Sequence, residues 1–209
     1  MPLVSLDLPA PGELRARWAA YAAVLASIGH ADGCHAAGQV WHFDDGGGNW
    51  CDLIVLDGGR AVLQGNDHEY SDTYFREAAA YFDEPETDLL ADAPAWWGEH
   101  LPPIAEGEWV GFVYGYDGAW QRAEYDLTDG FTAVGLPALS DDRLVRSVTD
   151  YVTQYAADQP GPATYEPTRA SVLALAAAGP GLTEGHLAAV FGPAPADLGA
   201  GVTAARAFA

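Results

Sequence analysis

The sequence has no lysine, and basic residues are scarce. Nine basic residues, all of them arginine, stand against 30 acidic residues, which gives a formal net charge of −21. Phosphate contacts need a basic surface that nine scattered arginines do not supply. The same negative field opposes docking on anionic membranes. We therefore expect neither nucleic acid nor a membrane as partner, whereas a basic partner protein fits the charge.

Cysteine is equally rare, and no long hydrophobic run is present. The sequence has two cysteines, Cys34 and Cys51, which do not amount to a disulfide framework and fit a reducing compartment. The apolar run at residues 18–28 is shorter than the roughly 20 residues that span a bilayer. The first residues lack the basic stretch of a signal peptide. We therefore expect a cytoplasmic protein.

The residue pattern that is present is typical of an α+β protein. Apolar side chains at steps of three and four predict an amphipathic helix over residues 12–29. Helix patterns recur at residues 73–82, 140–157, 168–178, 183–191 and 196–207. Strand patterns occupy residues 40–43, 50–56, 60–65, 108–116 and 119–126. Because no strand-helix-strand unit recurs, we expect an antiparallel sheet packed against the N-terminal and central helices.

Two Asp-Gly turns predict the two β-hairpins of this sheet. In the first hairpin, a three-residue loop places Leu53 opposite Leu63, so that similar side chains meet across the strands. In the second, a two-residue turn pairs residue 116 with residue 119 and sets Gly115 opposite Trp120. That register leaves room above Gly115 for the indole of Trp120.

A Pro- and Gly-rich segment at residues 159–167 predicts a linker. It divides the chain into an α+β domain at residues 1–158 and a helical appendage at residues 168–209. The appendage has the spacing of a helix-turn-helix unit, but its last helix offers only Arg206 for reading DNA. We therefore expect it to serve packing or protein contacts.

The densest group of polar side chains lies in residues 66–72, which follow a predicted strand, where loops often carry function. His68 stands between Asp67 and Glu69 and could act as a general base or metal ligand in a hydrolase. Ser71 could be its nucleophile if the imidazole reaches it. In an extended segment both carboxylates point away from His68, so a second element would have to complete such a site. The alternatives are a helix-capping loop and a binding contact.

A second group combines histidine and cysteine, residue types that bind zinc. His30, Cys34 and His35 are the candidate metal ligands, with His42 and Cys51 further along the chain. A second short ligand pair is missing, and strand positions favour burial of His42 and Cys51. We therefore expect no metal and no other cofactor.

The favoured hypothesis is an acidic, cytoplasmic protein-binding module, monomeric or dimeric, comparable in charge and size to an immunity-type inhibitor of a basic partner. Its charge would speed encounter, and aromatic anchors would supply affinity. The expected contact residues are Trp50, Asn66, Asp67, His68, Glu69, Tyr70, Asp72, Trp120 and Arg122. One alternative is the hydrolase centred on His68. Another is a small-molecule pocket lined by Trp50, Trp120, Arg122 and Tyr125, in which Arg122 would orient an anionic ligand.

Overall fold

A computed structural model of the protein describes residues 3–104, 107–159 and 165–209. It confirms the α+β class, because the described residues form a seven-stranded antiparallel sheet and seven α-helices. The strands are β1 (Val4–Leu6), β2 (Cys34–Ala37), β3 (Val40–Asp44), β4 (Trp50–Val55), β5 (Ala61–Asn66), β6 (Phe112–Tyr116) and β7 (Trp120–Arg122). The helices are α1 (Pro11–Ser27), α2 (Glu77–Phe82), α3 (Trp96–Glu99), α4 (Asp141–Asp158), α5 (Arg169–Ala178), α6 (Glu184–Phe191) and α7 (Leu198–Arg206).

The strand order in the sheet is β1-β7-β6-β5-β4-β3-β2. The first hairpin joins β4 to β5 and pairs Leu53 with Leu63, as the alternation of side chains predicts. The sequence pattern did not predict β1, β2 or α3. Each of these elements has three or four residues, which is too short for a periodic pattern to develop.

The second hairpin has a different register from the predicted one. Tyr116 pairs with Trp120, and Gly115 pairs with Gln121, so the loop has three residues instead of two. A shift of one residue moves every side chain of a strand to the other face. Trp120 therefore does not lie above Gly115, and its buried indole donates a hydrogen bond from Nε1 to the carbonyl of Pro9 at 2.8 Å.

The indole above Gly115 belongs to Trp97 of α3. A Cβ atom on Gly115 would lie closer than 3.0 Å to three ring atoms of Trp97. Glycine at this position therefore lets α3 pack directly on the sheet, and Trp97 is only 1% exposed. This contact covers the face of β6 at Gly115.

The chain forms two compact units. One comprises Met1–Ala10 with His42–Gly135, and the other comprises Pro11–Trp41 with Leu136–Ala209. In this division the helices that follow residue 168 share a unit with α1 and α4. The predicted linker at residues 159–167 includes residues 160–164, which lie outside the described residues, so its boundary stays a prediction.

Helix α1 is not amphipathic, contrary to the prediction. Residues 18–27 are all buried, because alanines occupy the positions between the large side chains and α4, α5 and α7 pack around the helix. A helix that is apolar on all sides belongs in a core. Within the described ranges, no helix combines the length and apolar character that crossing a membrane requires.

Candidate functional site

The polar loop, residues 66–72, begins with a turn built on Asp67. The Asp67 side chain is buried, and its Oδ1 atom accepts hydrogen bonds from the backbone N–H groups of Glu69 at 3.0 Å and Tyr70 at 2.8 Å. Aspartate commonly stabilises a turn in this way. The Asp67 carboxylate therefore shapes the loop, whereas the side chains of Glu69 and Tyr70 are exposed.

The far end of the polar loop is fixed by Ser71. Its Oγ atom accepts from Asp67 N at 3.1 Å and donates to the carbonyl of Asp129 at 2.9 Å. The next residue, Asp72, donates its backbone N–H to Thr128 O at 2.7 Å. Gly111 lets the side chains of Ser71 and Asn66 approach the backbone, because a Cβ atom on Gly111 would lie less than 3.0 Å from both. These contacts tie the end of the loop to the segment at residues 128–129.

Asp129 belongs to the segment at residues 128–129 that contacts the polar loop, and its carboxylate accepts several hydrogen bonds. Its Oδ2 atom accepts hydrogen bonds from the hydroxyls of Tyr114 at 2.6 Å and Tyr125 at 2.8 Å, and Oδ1 accepts from Phe131 N at 3.2 Å. Burial raises the pKa of both tyrosines, and the charge of Asp129 raises it further. Both phenols therefore stay protonated and act as hydrogen-bond donors.

His68 lies at the surface, where Asn49 holds it. Asn49 Oδ1 is 3.1 Å from the backbone N and 3.0 Å from Nδ1 of His68, and Nε2 of His68 is 4.0 Å from Oε1 of Glu69. Ser71 directs its hydroxyl to Asp129 instead of His68. The hydrolase hypothesis thus lacks a base–nucleophile pair here. Such a pair needs a heavy-atom separation of roughly 3 Å.

The candidate metal ligands do not form a cluster. Cys34 is buried, its thiol points to the carbonyl of Trp18 at 4.0 Å, and burial raises its pKa, which keeps the sulfur protonated. His35 Nδ1 is 3.2 Å from Asp32 O. In the described part of the chain, no three His, Cys, Asp or Glu side chains are grouped so that they could hold a metal ion.

His42 instead pairs with a carboxylate. Its Nδ1 atom is 2.7 Å from Asp52 Oδ1. Burial of the imidazole lowers the pKa of His42, but the hydrogen bond to Asp52 and the charges of Asp52, Asp44 and Glu108 outweigh burial. The pKa of His42 therefore lies above its usual value.

Four predicted contact residues line one cleft of about 400 Å³, which we call the loop cleft. They are Trp50, Asn66, Asp67 and His68. Trp120 and Arg122 do not join them. Trp120 is buried, and the Arg122 guanidinium lies 4.0 Å from the centroid of the Tyr125 ring while it donates to the carbonyls of Ala123 and Tyr125. The predicted small-molecule pocket is therefore not assembled from these residues.

The rim of the loop cleft carries aromatic side chains that the sequence analysis missed, and we call them the aromatic patch. The patch consists of Tyr74, Tyr81, Phe82 and Trp109. Tyr81 and Phe82 lie 4.9 Å and 5.5 Å from Trp109, between ring centroids, and 71% and 46% of their surfaces are exposed. One signal was present in the sequence, since two adjacent aromatics at the end of a helix cannot both face a core.

Comparisons with known proteins do not assign a family, because no family model, no curated protein and no solved structure matches the chain.

Proposed function

We propose that the protein is a binding module for a basic partner protein and that the aromatic patch is its docking surface. The observation that carries this proposal is the exposure of Tyr81 and Phe82 beside Trp109. Contiguous exposed apolar patches mark interaction sites, and large aromatic side chains dominate the binding energy of protein interfaces.

The charges around the patch favour a basic partner. Asp83, Glu84 and Glu86 directly follow Phe82, and residues 81–86 are all exposed. Asp44 and Glu108 also line the loop cleft, whose rim carries the patch. An acidic rim around apolar anchors speeds the approach of a positively charged surface and penalises an acidic one. The net charge of −21 extends this attraction over the whole molecule.

The backbone beneath the patch is strained, which supports a functional role. Helix α2 is flanked by Arg76 with φ of 52° and Asp83 with φ of 55°. Non-glycine residues in this region cost on the order of 1 kcal/mol or more, and such strain clusters at functional sites. Arg76 precedes the first residue of α2 and Asp83 follows its last, so a positive φ bounds the helix at both ends.

The test is a pull-down from lysate of the native host with wild-type and variant baits. Phe82→Ser removes an anchor, and Leu127→Ser is a matched control, because Phe82 and Leu127 are both 46% exposed. A basic protein that wild type and the control retain, and that Phe82→Ser loses, would support the proposal. Surface plasmon resonance should show that Phe82→Ser weakens the binding free energy of this partner by roughly 2 kcal/mol.

Two results would contradict the proposal. Equal retention of the same partner by all three baits would place the contact elsewhere. An acidic partner, or association that does not slow as salt rises, would contradict the role of charge.

A further inference from the structure

A second cavity lies on the face of the sheet that α3 covers, and we call it the inner cavity; it shares Gly107, Glu108 and Trp109 with the loop cleft. Its volume is about 640 Å³, within the range of roughly 300–1,000 Å³ that is typical of small-molecule sites. The walls are predominantly apolar and come from the segments around residues 75, 101–104 and 109–110. These wall residues are Phe75, Leu101, Pro102, Pro103, Ile104, Trp109 and Val110.

One polar side chain, Gln64 of β5, lies behind these apolar walls. It lines the cavity and is fully buried, with an exposed fraction of 0%. Neither its Nε2 nor its Oε1 atom has a hydrogen-bond partner among the described residues. Buried amides are nearly always paired, so an unpaired one calls for an explanation. A molecule in the cavity that offers one acceptor and one donor side by side would satisfy both atoms.

The charged groups at the cavity are confined to its exposed edge. Arg76, Glu77 and Glu108 line it and are exposed, and the guanidinium of Arg76 lies 4.6 Å from the centroid of the Phe75 ring. Asp52 lies opposite Gln64 in the pairing of β4 with β5, but it pairs with His42, and neither residue lines the cavity. A charged ligand group would lose its hydration there without a counter-charge, so the floor of the cavity selects a neutral group.

We propose that the inner cavity binds a neutral aromatic carboxamide or a heterocycle with the same donor–acceptor edge. The edge pairs with the amide of Gln64, and the ring contacts the apolar walls. Trp109 belongs to both the inner cavity and the aromatic patch, so the tests use Gln64 and Ile104, which line the cavity and lie outside the patch.

The test uses benzamide as the probe and benzoate as its charged counterpart of the same shape. Binding is followed in nitrogen–proton NMR spectra through the side-chain NH₂ signals of Gln64, assigned by their loss in Gln64→Leu. We expect saturable shifts with a Kd on the order of 1 mM, the range of a fragment-sized ligand. Benzoate should bind at least tenfold more weakly.

Two variants make the outcome decisive. Gln64→Leu should weaken benzamide binding at least tenfold, and it should fold at least as well as wild type because it removes an unpaired buried amide. If that variant nevertheless fails to fold, Ile104→Trp fills the exposed mouth of the cavity and should block benzamide without lowering the Tm. Absence of a Gln64 shift at ten times the expected Kd, unchanged binding in the folded variants, or tighter binding of benzoate would each overturn the proposal.

Discussion

Replacement of Gly115 by alanine tests the packing on which the covered face of the sheet depends. The added Cβ atom would lie closer than 3.0 Å to three atoms of the Trp97 ring. A rotamer change cannot relieve the overlap, because the indole is rigid and 99% of its surface is enclosed (relative exposure 1%). The strand or the whole of α3 has to move.

The expected cost is bounded on both sides. Overpacking of a core costs about 1–3 kcal/mol, whereas complete loss of a buried tryptophan contact costs about 3–5 kcal/mol. We therefore expect Gly115→Ala to lower the free energy of unfolding by about 2–4 kcal/mol. For a chain of this size, that corresponds to a fall in Tm of roughly 5–15 °C.

Urea denaturation and calorimetry provide the measurement, and two controls isolate the cause. Gly12→Ala adds a methyl group in open space and should leave stability unchanged or slightly higher, since alanine favours the helix. In a Trp97→Ala background, Gly115→Ala should cost less than about 1 kcal/mol, which a double-mutant cycle would reveal. If Gly115→Ala had the same Tm as wild type, the packing of Trp97 on β6 would be refuted.

Two further predictions concern partly buried hydrogen bonds. The pKa of His42 is higher in the folded protein than in the unfolded chain, where it is about 6.5. The pair with Asp52 therefore stabilises the fold fully below about pH 6.5, and this stabilisation is lost as the pH rises through the folded pKa. His42→Gln should therefore cost roughly 1–3 kcal/mol at pH 5.5 and clearly less at pH 9, measured by urea denaturation; an equal cost at both values would contradict the pair. Asp129→Ala should cost roughly 2–5 kcal/mol, because it leaves the hydroxyls of Tyr114 and Tyr125 unpaired. In the native wild type, ultraviolet absorbance should show these two phenols resisting ionisation at alkaline pH, and their normal titration would argue against the network.

The fold was predictable where the alternation of side chains and the length of the loop indicated the same strand pairing. In the first hairpin, alternation on two strands and the loop length indicate the same register, and Leu53 meets Leu63 as expected. In the second hairpin the Asp-Gly sequence favours a loop of two residues, and a loop of three residues is the next most common form. The buried indole of Trp120 donates a hydrogen bond to the carbonyl of Pro9, and this contact favours the longer loop. Pro9 is distant in sequence, so the residues around the turn do not reveal the contact.

The candidate site was predictable only in its local part. The polar loop is contiguous in sequence, so its high density of polar side chains is visible without a structure. The aromatic patch brings Trp109 beside Tyr81 and Phe82, from segments that no local pattern connects. Gln64 illustrates the opposite difficulty. On an alternating strand it has the pattern of a solvent-facing polar residue, and only the cover supplied by α3 and residues 101–104 and 107–110 makes it buried.

Charge and aromatic anchors would contribute to different steps of binding, and this separates the proposed function from mere solubility. The charge of −21 is spread over the molecule, so it would raise the association rate toward any basic surface and would be screened by salt. The patch at Tyr81 and Phe82 is local, so its loss should act mainly on the dissociation rate. A charge that serves solubility alone would produce salt-sensitive encounters with many basic proteins and no partner whose dissociation depends on Phe82. Specific recognition requires both dependences in the same complex.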